Sequence, residues 1–249
     1  MNIFHWRLML NTALIFWLMP SAVANHQYPQ ADGFVLQRQQ MVATIKNYKV
    51  AGIVVREPRI LNAMANVPRH RFVPPHQRTK AYQDSPLSIG FGQTISQPYI
   101  VALMTQLADI SFGMNVLEIG TGSGYQAAIL FELTPNVYTM EIITPLANRT
   151  AKLFKQLALR KIHHIHGNGY YGWPENLQFD RILVTAAAAH IPVPLLKQLK
   201  PGGHMVIPVG PVWGNQQLLV ISKDEFGNSS TRSILPVRFV PLTGTGKSL

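Results

Sequence analysis

A carboxylate, three glycines and a second carboxylate lie close together in the middle of this chain. Asn115-Val-Leu-Glu-Ile-Gly-Thr-Gly-Ser-Gly-Tyr125 carries Glu118 ahead of Gly120, Gly122 and Gly124, and the next apolar run, Val137-Tyr-Thr-Met-Glu141, ends in an acid. Glycines at this spacing turn the chain sharply and leave no Cβ between backbone and ligand. A strand, a tight turn and a helix-prone segment (Gln126 to Leu133) form the opening unit of a parallel α/β sheet, whose ligands sit outside the strand ends. The spacing is not that of the dinucleotide fingerprint G-x-G-x-x-G, because the third glycine comes one residue early and Tyr125 takes the fingerprint's last glycine position. A carboxylate such as Glu141 can accept both hydroxyls of a ribose. An acid-bearing loop suits a ligand with a ribose and a positive charge but no phosphate, and S-adenosylmethionine is such a molecule. The bland alternative is a glycine turn without a ligand.

A second candidate is Asp84-Ser-Pro-Leu-Ser-Ile-Gly-Phe-Gly-Gln-Thr-Ile-Ser-Gln-Pro98. Its Gly, Pro and Ser content predicts a loop without regular structure, leading into an apolar helix over 99–107, where function concentrates in α/β folds. Thr94 and Ser96 offer hydroxyls to an acceptor, although Ser96 beside Pro98 also fits a helix cap. Asp84 either faces the substrate or starts a turn. His164 and His166 share a strand face without a nearby carboxylate, so no metal site is expected. Trp173, Tyr170 and Tyr171 are expected to pack around the loop after the third strand, or to touch an adenine.

These segments resemble the protein-L-isoaspartate O-methyltransferase family. The matching pieces are Val67-Pro-Arg-His-Arg-Phe-Val73, Ser88–Pro98, Val116–Leu130, Val184-Thr-Ala-Ala187, Pro201-Gly-Gly203, Pro208-Val-Gly210 and Val237-Arg-Phe-Val-Pro-Leu242. They run in family order from Leu36 to Gly244, and Gln93-Thr-Ile-Ser-Gln-Pro98 is the most specific. The resemblance implies a class I S-adenosylmethionine-dependent methyltransferase that methylates the free α-carboxyl of L-isoaspartyl residues in damaged proteins and peptides. The ester then collapses to a succinimide, and part of the chain population returns to normal aspartate. It implies a catalytic role for Ser96, with Thr94 beside it. Gln93, Glu118, Gly120, Gly122, Gly124, Glu141, Asn168 and Gly169 would bind the cofactor, with Gln93 also forming the floor where methyl and acceptor meet. One position departs from the family: Gly167-Asn-Gly169 stands where an acidic residue contacts the adenine amino group. The amide oxygen of Asn168 can accept that bond without charge assistance.

The elements that must position these residues follow from hydrophobic spacing. Helices are expected over 34–48 and 58–65, giving a helical layer at 34–80. The catalytic sheet over 81–249 is expected from strands at 115–119, 137–141, 162–166, 181–185 and 204–208, with helices at 146–159 and 193–199. The runs 217–222 and 237–242 around Asp224-Glu-Phe-Gly-Asn228 predict an antiparallel edge pair. The whole reads as a Rossmann-like, doubly wound, mainly parallel sheet in a single methyltransferase domain, residues 25–249.

Composition limits the alternatives. The 249 residues are 47% hydrophobic and contain no cysteine, which excludes disulfides and thiolate metal sites. The net charge of +11 comes from scattered basic residues, so no nucleic-acid partner is expected, although such a surface can attract acidic peptides or membranes. A monomer is expected. Residues 1–24 read as a secretory signal peptide: His5 and Arg7 precede the apolar run 8–19, and Pro20-Ser-Ala-Val-Ala24 supplies the cleavage site. That conflicts with a cofactor made in the cytosol, so the expectation is a cytoplasmic enzyme, with a periplasmic one as the alternative. Two other readings stay open, a related methyltransferase with another acceptor and a non-catalytic cofactor-binding envelope protein.

Overall fold

The computed structural model describes residues 28, 33–211 and 214–244; the signal-like segment 1–24 lies outside them. Helix α1 (Val35–Asn47) leads into a hairpin of β1 (Lys49–Val50) and β2 (Ile53–Val54), then α2 (Pro58–Asn66). The apolar run 50–55 turns back on itself because Ala51 and Gly52 both take positive φ, 49° and 80°. Short 3-10 turns at Arg69–Arg71 and Pro75–Lys80 follow.

Residues 84–98, expected to lack regular structure, instead contain an antiparallel hairpin, β3 (Leu87–Gly90) and β4 (Gln93–Ile95). Gly90, Phe91 and Gly92 make its tip, all with positive φ. The Gly and Pro content concentrates at the tip and flanks, while Leu87, Ile89 and Ile95 alternate inward and are buried. Helix α3 (Pro98–Ala108) is apolar on most of its surface because it packs against α1 and α2 and also against the sheet.

The α/β core then runs β5 (Val116–Ile119), α4 (Tyr125–Phe131), β6 (Val137–Glu141), α5 (Thr144–Gln156), β7 (His163–His166), β8 (Phe179–Val184), α6 (Val193–Gln198), β9 (Leu199–Val209), β10 (Gln216–Lys223) and β11 (Ser229–Val237). The seven-stranded sheet has the order β11-β10-β9-β8-β5-β6-β7. Strands β9, β8, β5, β6 and β7 are parallel, whereas β10 and β11 form an antiparallel edge. The edge partner is 229–237 rather than 237–242. Residues 238–244 leave the sheet and form a strap toward Ala187, with a bridge between Ala187 and Pro241.

Alternation along the strands feeds two cores. Val116, Leu183, Val206 and Val220 point into the layer with α3 and α4, while Leu117, Ile182, Met205 and Ile221 point to the opposite face. Both faces are therefore covered, which is why the parallel strands read as continuous apolar runs. Among the described residues no helix is long and apolar enough to cross a membrane.

Candidate active site

From β5 the chain winds outward through β6 and β7, then returns to β8 on the other side of β5. The strand order reverses there, and a crevice opens at the strands' C-terminal ends. A cleft of about 70 Å³, open to solvent, lies at this point. Gln93, Thr94, Ser96, Glu118, Gly120, Gly122, Glu141 and Gly169 all line it, brought together from β4, β5, β6 and the loops after β5 and β7.

Glu118 is fully buried mid-sheet. Its Oε2 accepts from the Thr139 hydroxyl on β6, and Thr139 in turn lies 2.7 Å from Thr121 Oγ1. A hydroxyl has one proton, so with that proton committed to Glu118, Thr121 is the donor to Thr139. Glu118 Oε1 has no partner among the described residues. Burial raises the Glu118 carboxyl to about 8; the Thr139 hydroxyl pulls it down and nearby Glu141 pushes it further up. A buried acid with an orphaned oxygen, facing a cleft, suits a cationic ligand.

Glu141 is anchored differently. Oε2 accepts from Gly122 N (2.7 Å) and Oε1 from Ile143 N (2.8 Å), so the acid at the end of β6 fixes both the glycine loop and the entry to α5. Each oxygen keeps a further lone pair for a ligand hydroxyl. Thr185, following β8, donates to Gly120 O at 2.7 Å, and a Cβ on Gly120 would sit 2.6 Å from that Thr185 oxygen. Two expected cofactor residues, Gly124 and Asn168, are not among those that line the cleft. Gly124, with φ +85°, opens α4, and its missing Cβ makes room for Phe154 and Thr150 of α5. Asn168 turns its side chain to Tyr170 N and Gly244 O.

The hairpin β3–β4 lies over the loop. Ile89 Cδ1 would touch a Cβ on Gly122 at 3.5 Å. Ser96 does not cap α3: Asp84 does, accepting from Tyr99 N and from Gln97 Nε2, both at 2.8 Å. No described residue bonds the Ser96 hydroxyl, and Ser96 lines the cleft. Its carbonyl is held by Arg69, fully buried, whose Nη2 donates to Ser96 O and Nε to Ala81 O, each at 2.7 Å. The guanidinium lies 4.8 Å over the Tyr125 ring, and burial lowers it to about 10. Arg69 escaped the sequence reading because a basic residue between prolines carries no signal of burial. The strap residues Val240 to Thr243 escaped it because they read as a strand.

A second, wider groove of about 550 Å³ meets the cleft at Thr94, Ser96, Thr185 and Val240. Its walls include Tyr48, Tyr99, Asn215 and Phe239, and Arg238 is its single charged residue among those described. Elsewhere, Trp173 is buried edge-on against Tyr138 at 5.2 Å, and Tyr170 Oη lies 2.8 Å from His190 Nε2. Among the described residues no group of three His, Cys, Asp or Glu could hold a metal ion.

The reversed strand order, the antiparallel edge and the acid-bearing glycine loop at the switch point define a class I methyltransferase. The sequence profile of the Protein-L-isoaspartate(D-aspartate) O-methyltransferase (PCMT) family matches residues 37–247, and the chain belongs to that family. It is 54% identical over 218 residues to Protein-L-isoaspartate O-methyltransferase 1 of Cupriavidus necator, covering 86% of this chain and 84% of that one. It is 49% identical over 236 residues to Protein-L-isoaspartate O-methyltransferase 2 of Syntrophobacter fumaroxidans, covering 93% and 96%. Among solved structures, a beta-aspartate methyltransferase (PCMT) from Plasmodium falciparum in complex with S-adenosyl-L-homocysteine matches with a TM-score of 0.71 and 25% identity, over 83% of this chain and 98% of that one.

Proposed function

We propose that this protein transfers a methyl group from S-adenosyl-L-methionine to the free α-carboxyl of L-isoaspartyl residues in damaged proteins and peptides, a repair reaction. The observation that carries it is the meeting of two cavities at Ser96 and Thr94, with the glycine-loop cleft on one side and the wider groove on the other. Bound in the cleft, the cofactor supplies a methyl group already activated on a sulfonium.

The chain's own residues bind, orient and exclude water. Glu118 offers its orphaned buried oxygen to the cofactor's positive charge, and Glu141 its spare lone pairs to the ribose hydroxyls. Gly122 leaves its backbone open to the cleft, Gly120 and Gly169 line it with their missing Cβ positions turned to Thr185 and Ile119, and Gln93 closes the floor. The acceptor carboxyl ordinarily titrates at about pH 4, so it is ionised at neutral pH and needs no general base. Ser96 and Thr94 hydroxyls orient it, because alignment of the reacting atoms and removal of solvent from the oxygen carry the rate. An acceptor groove open to one side suits a peptide backbone, and its lack of acidic walls among the described residues suits a carboxylate. We read 25–249 as one methyltransferase domain, working as a monomer without metal or nucleic acid.

Transfer of labelled methyl to a synthetic isoaspartyl peptide, with its aspartyl twin as control, tests the assignment. A base-labile ester on the first peptide alone is expected, and equal labelling of both would refute it. For the compartment, we assign the active pool to the cytoplasm, where the cofactor is made. Mass spectrometry of the native protein checks this: an intact N-terminus in the cytosolic fraction is expected, whereas cleavage after Ala24 would move the enzyme to the periplasm.

A further inference from the structure

Asn168 opens the 3-10 turn Gly169–Tyr171 after β7. Its Oδ1 accepts from Tyr170 N at 3.0 Å, and its Nδ2 donates to Gly244 O at 2.7 Å. Only one orientation of the amide satisfies both, since a flip would set oxygen against oxygen and nitrogen against nitrogen. Gly244 approaches so closely that a Cβ on it would lie 2.6 Å from Asn168 Nδ2 and 2.7 Å from Ile142 Cδ1, at a φ of +89°.

Gly244 is the last described residue of a strap whose earlier attachments are also explicit. Phe239 exchanges hydrogen bonds with the Gln216 side chain (2.6 and 3.1 Å). Ala187 N donates to Val240 O and Leu242 N to Ala187 O, both at 2.8 Å. Between these points and Asn168, Val240 to Thr243 form one wall of the cofactor cleft. Among the described residues this is the strap's attachment beyond Thr243, and removing it would loosen that end of the wall. An aspartate at 168 could still accept from Tyr170 N, but as a carboxylate it has no proton for the Gly244 carbonyl.

We infer that Asn168 is a positioning residue for the cofactor, acting through the C-terminal strap: its amide pins Gly244, holds the Val240–Thr243 wall closed and slows cofactor release. This rests on the cleft being the cofactor site, as proposed above.

The test is binding and dissociation of S-adenosylhomocysteine by the full chain, measured by titration and by displacement kinetics. N168A is expected to bind about two- to tenfold more weakly, the size of one hydrogen bond, mainly through faster dissociation. N168D should lose at least as much at pH 8, where carboxylate faces carbonyl, and should recover relative to wild type as the pH falls and the acid regains a proton to donate. An unpinned but otherwise structural asparagine would give no such recovery. G244A, which leaves Asn168 intact but forces residue 244 away from it, should match N168A, and the double variant should be no worse than either single one. Tighter or unchanged binding by N168D would overturn the inference in favour of a direct adenine contact or no role, as would wild-type behaviour of G244A. If wild type itself fails to bind S-adenosylhomocysteine, the cleft assignment falls, and this inference with it.

Discussion

The Ser96 hydroxyl is free to act because another residue has taken its structural job. Asp84 caps α3, so Ser96→Ala should leave the melting temperature nearly unchanged. Turnover on isoaspartyl peptide should drop about ten- to a hundredfold, the worth of one hydrogen bond to a charged group. S-adenosylhomocysteine affinity should hold. A fall in stability with turnover of the folded fraction intact would return Ser96 to a packing role. Glu118 makes a pH prediction. Its folded pKa of about 8 lies above the ordinary glutamate value of 4.5, so the folded state holds the proton more tightly than the unfolded one. The stability this confers is complete below about pH 4.5 and is lost as pH rises through about 8. Glu118→Gln carries no titrating proton, so its melting temperature should gain on wild type across that window, by a few kcal/mol in stability at the alkaline end. Parallel melting curves from pH 5 to 9 would show that Glu118 is ionised throughout. The same proton should leave when a cation binds, which titration in buffers of different ionisation enthalpy detects.

At the scale of elements, the hairpin β3–β4 and the start of α3 act as one positioned unit. Asp84 ties its beginning to Gln97 and Tyr99, and Arg69, from the preceding 3-10 turn, ties Ala81 to Ser96, so the segment is held both by its own Asp84 and by a buried cation outside it. Asp84→Ala should therefore cost about 1 kcal/mol as a lost cap, a fall of about 2–4 °C in melting temperature for a chain of this size. Turnover should fall by more than cofactor affinity, because Ser96 sits between the two anchors. Unchanged kinetics with the expected thermal loss would separate the cap from the site. The glycine loop behaves as a second unit. Gly122 has φ +51° and stands under Ile89, so Gly122→Val should abolish S-adenosylhomocysteine binding through backbone strain and a side chain in the ligand's path. Normal affinity in that variant would make the loop merely structural.

For the whole molecule, 22 basic against 11 acidic residues give a field that acts on encounter rather than on the fold. The groove leading to Ser96 has one charged wall residue among those described, Arg238, so the local and global fields share a sign. Acidic isoaspartyl peptides should show kcat/KM falling as salt rises from about 20 to 300 mM, a range over which screening shortens from tens of ångströms to a few. A basic peptide of the same length should show a flat or opposite slope. Identical salt dependence for both would mean that surface charge plays no part in substrate capture.

What the sequence determined by itself was what periodicity and local turn chemistry encode. Alternating strands and helices, the acid-bearing glycine loop and the bounds of β6 (Val137–Glu141) were legible because burial on both faces demands continuous apolar runs and a sharp turn demands glycine. Tertiary structure decided the contacts between segments distant in the chain. Residues 87–95 pair as a hairpin although their composition reads as loop, since buried Leu87, Ile89 and Ile95 outweigh the glycines at the tip. The run 237–242 looks like an edge strand, yet Ser229–Val237 pairs with β10 first, and residues 238–244 become the strap along the cleft. Gly124 and Asn168 occupy motif positions beside the site, but Phe154 and Gly244 claim their surfaces. A motif fixes which backbone shape is allowed; which neighbour fills the space beside it depends on packing that no single stretch of sequence contains.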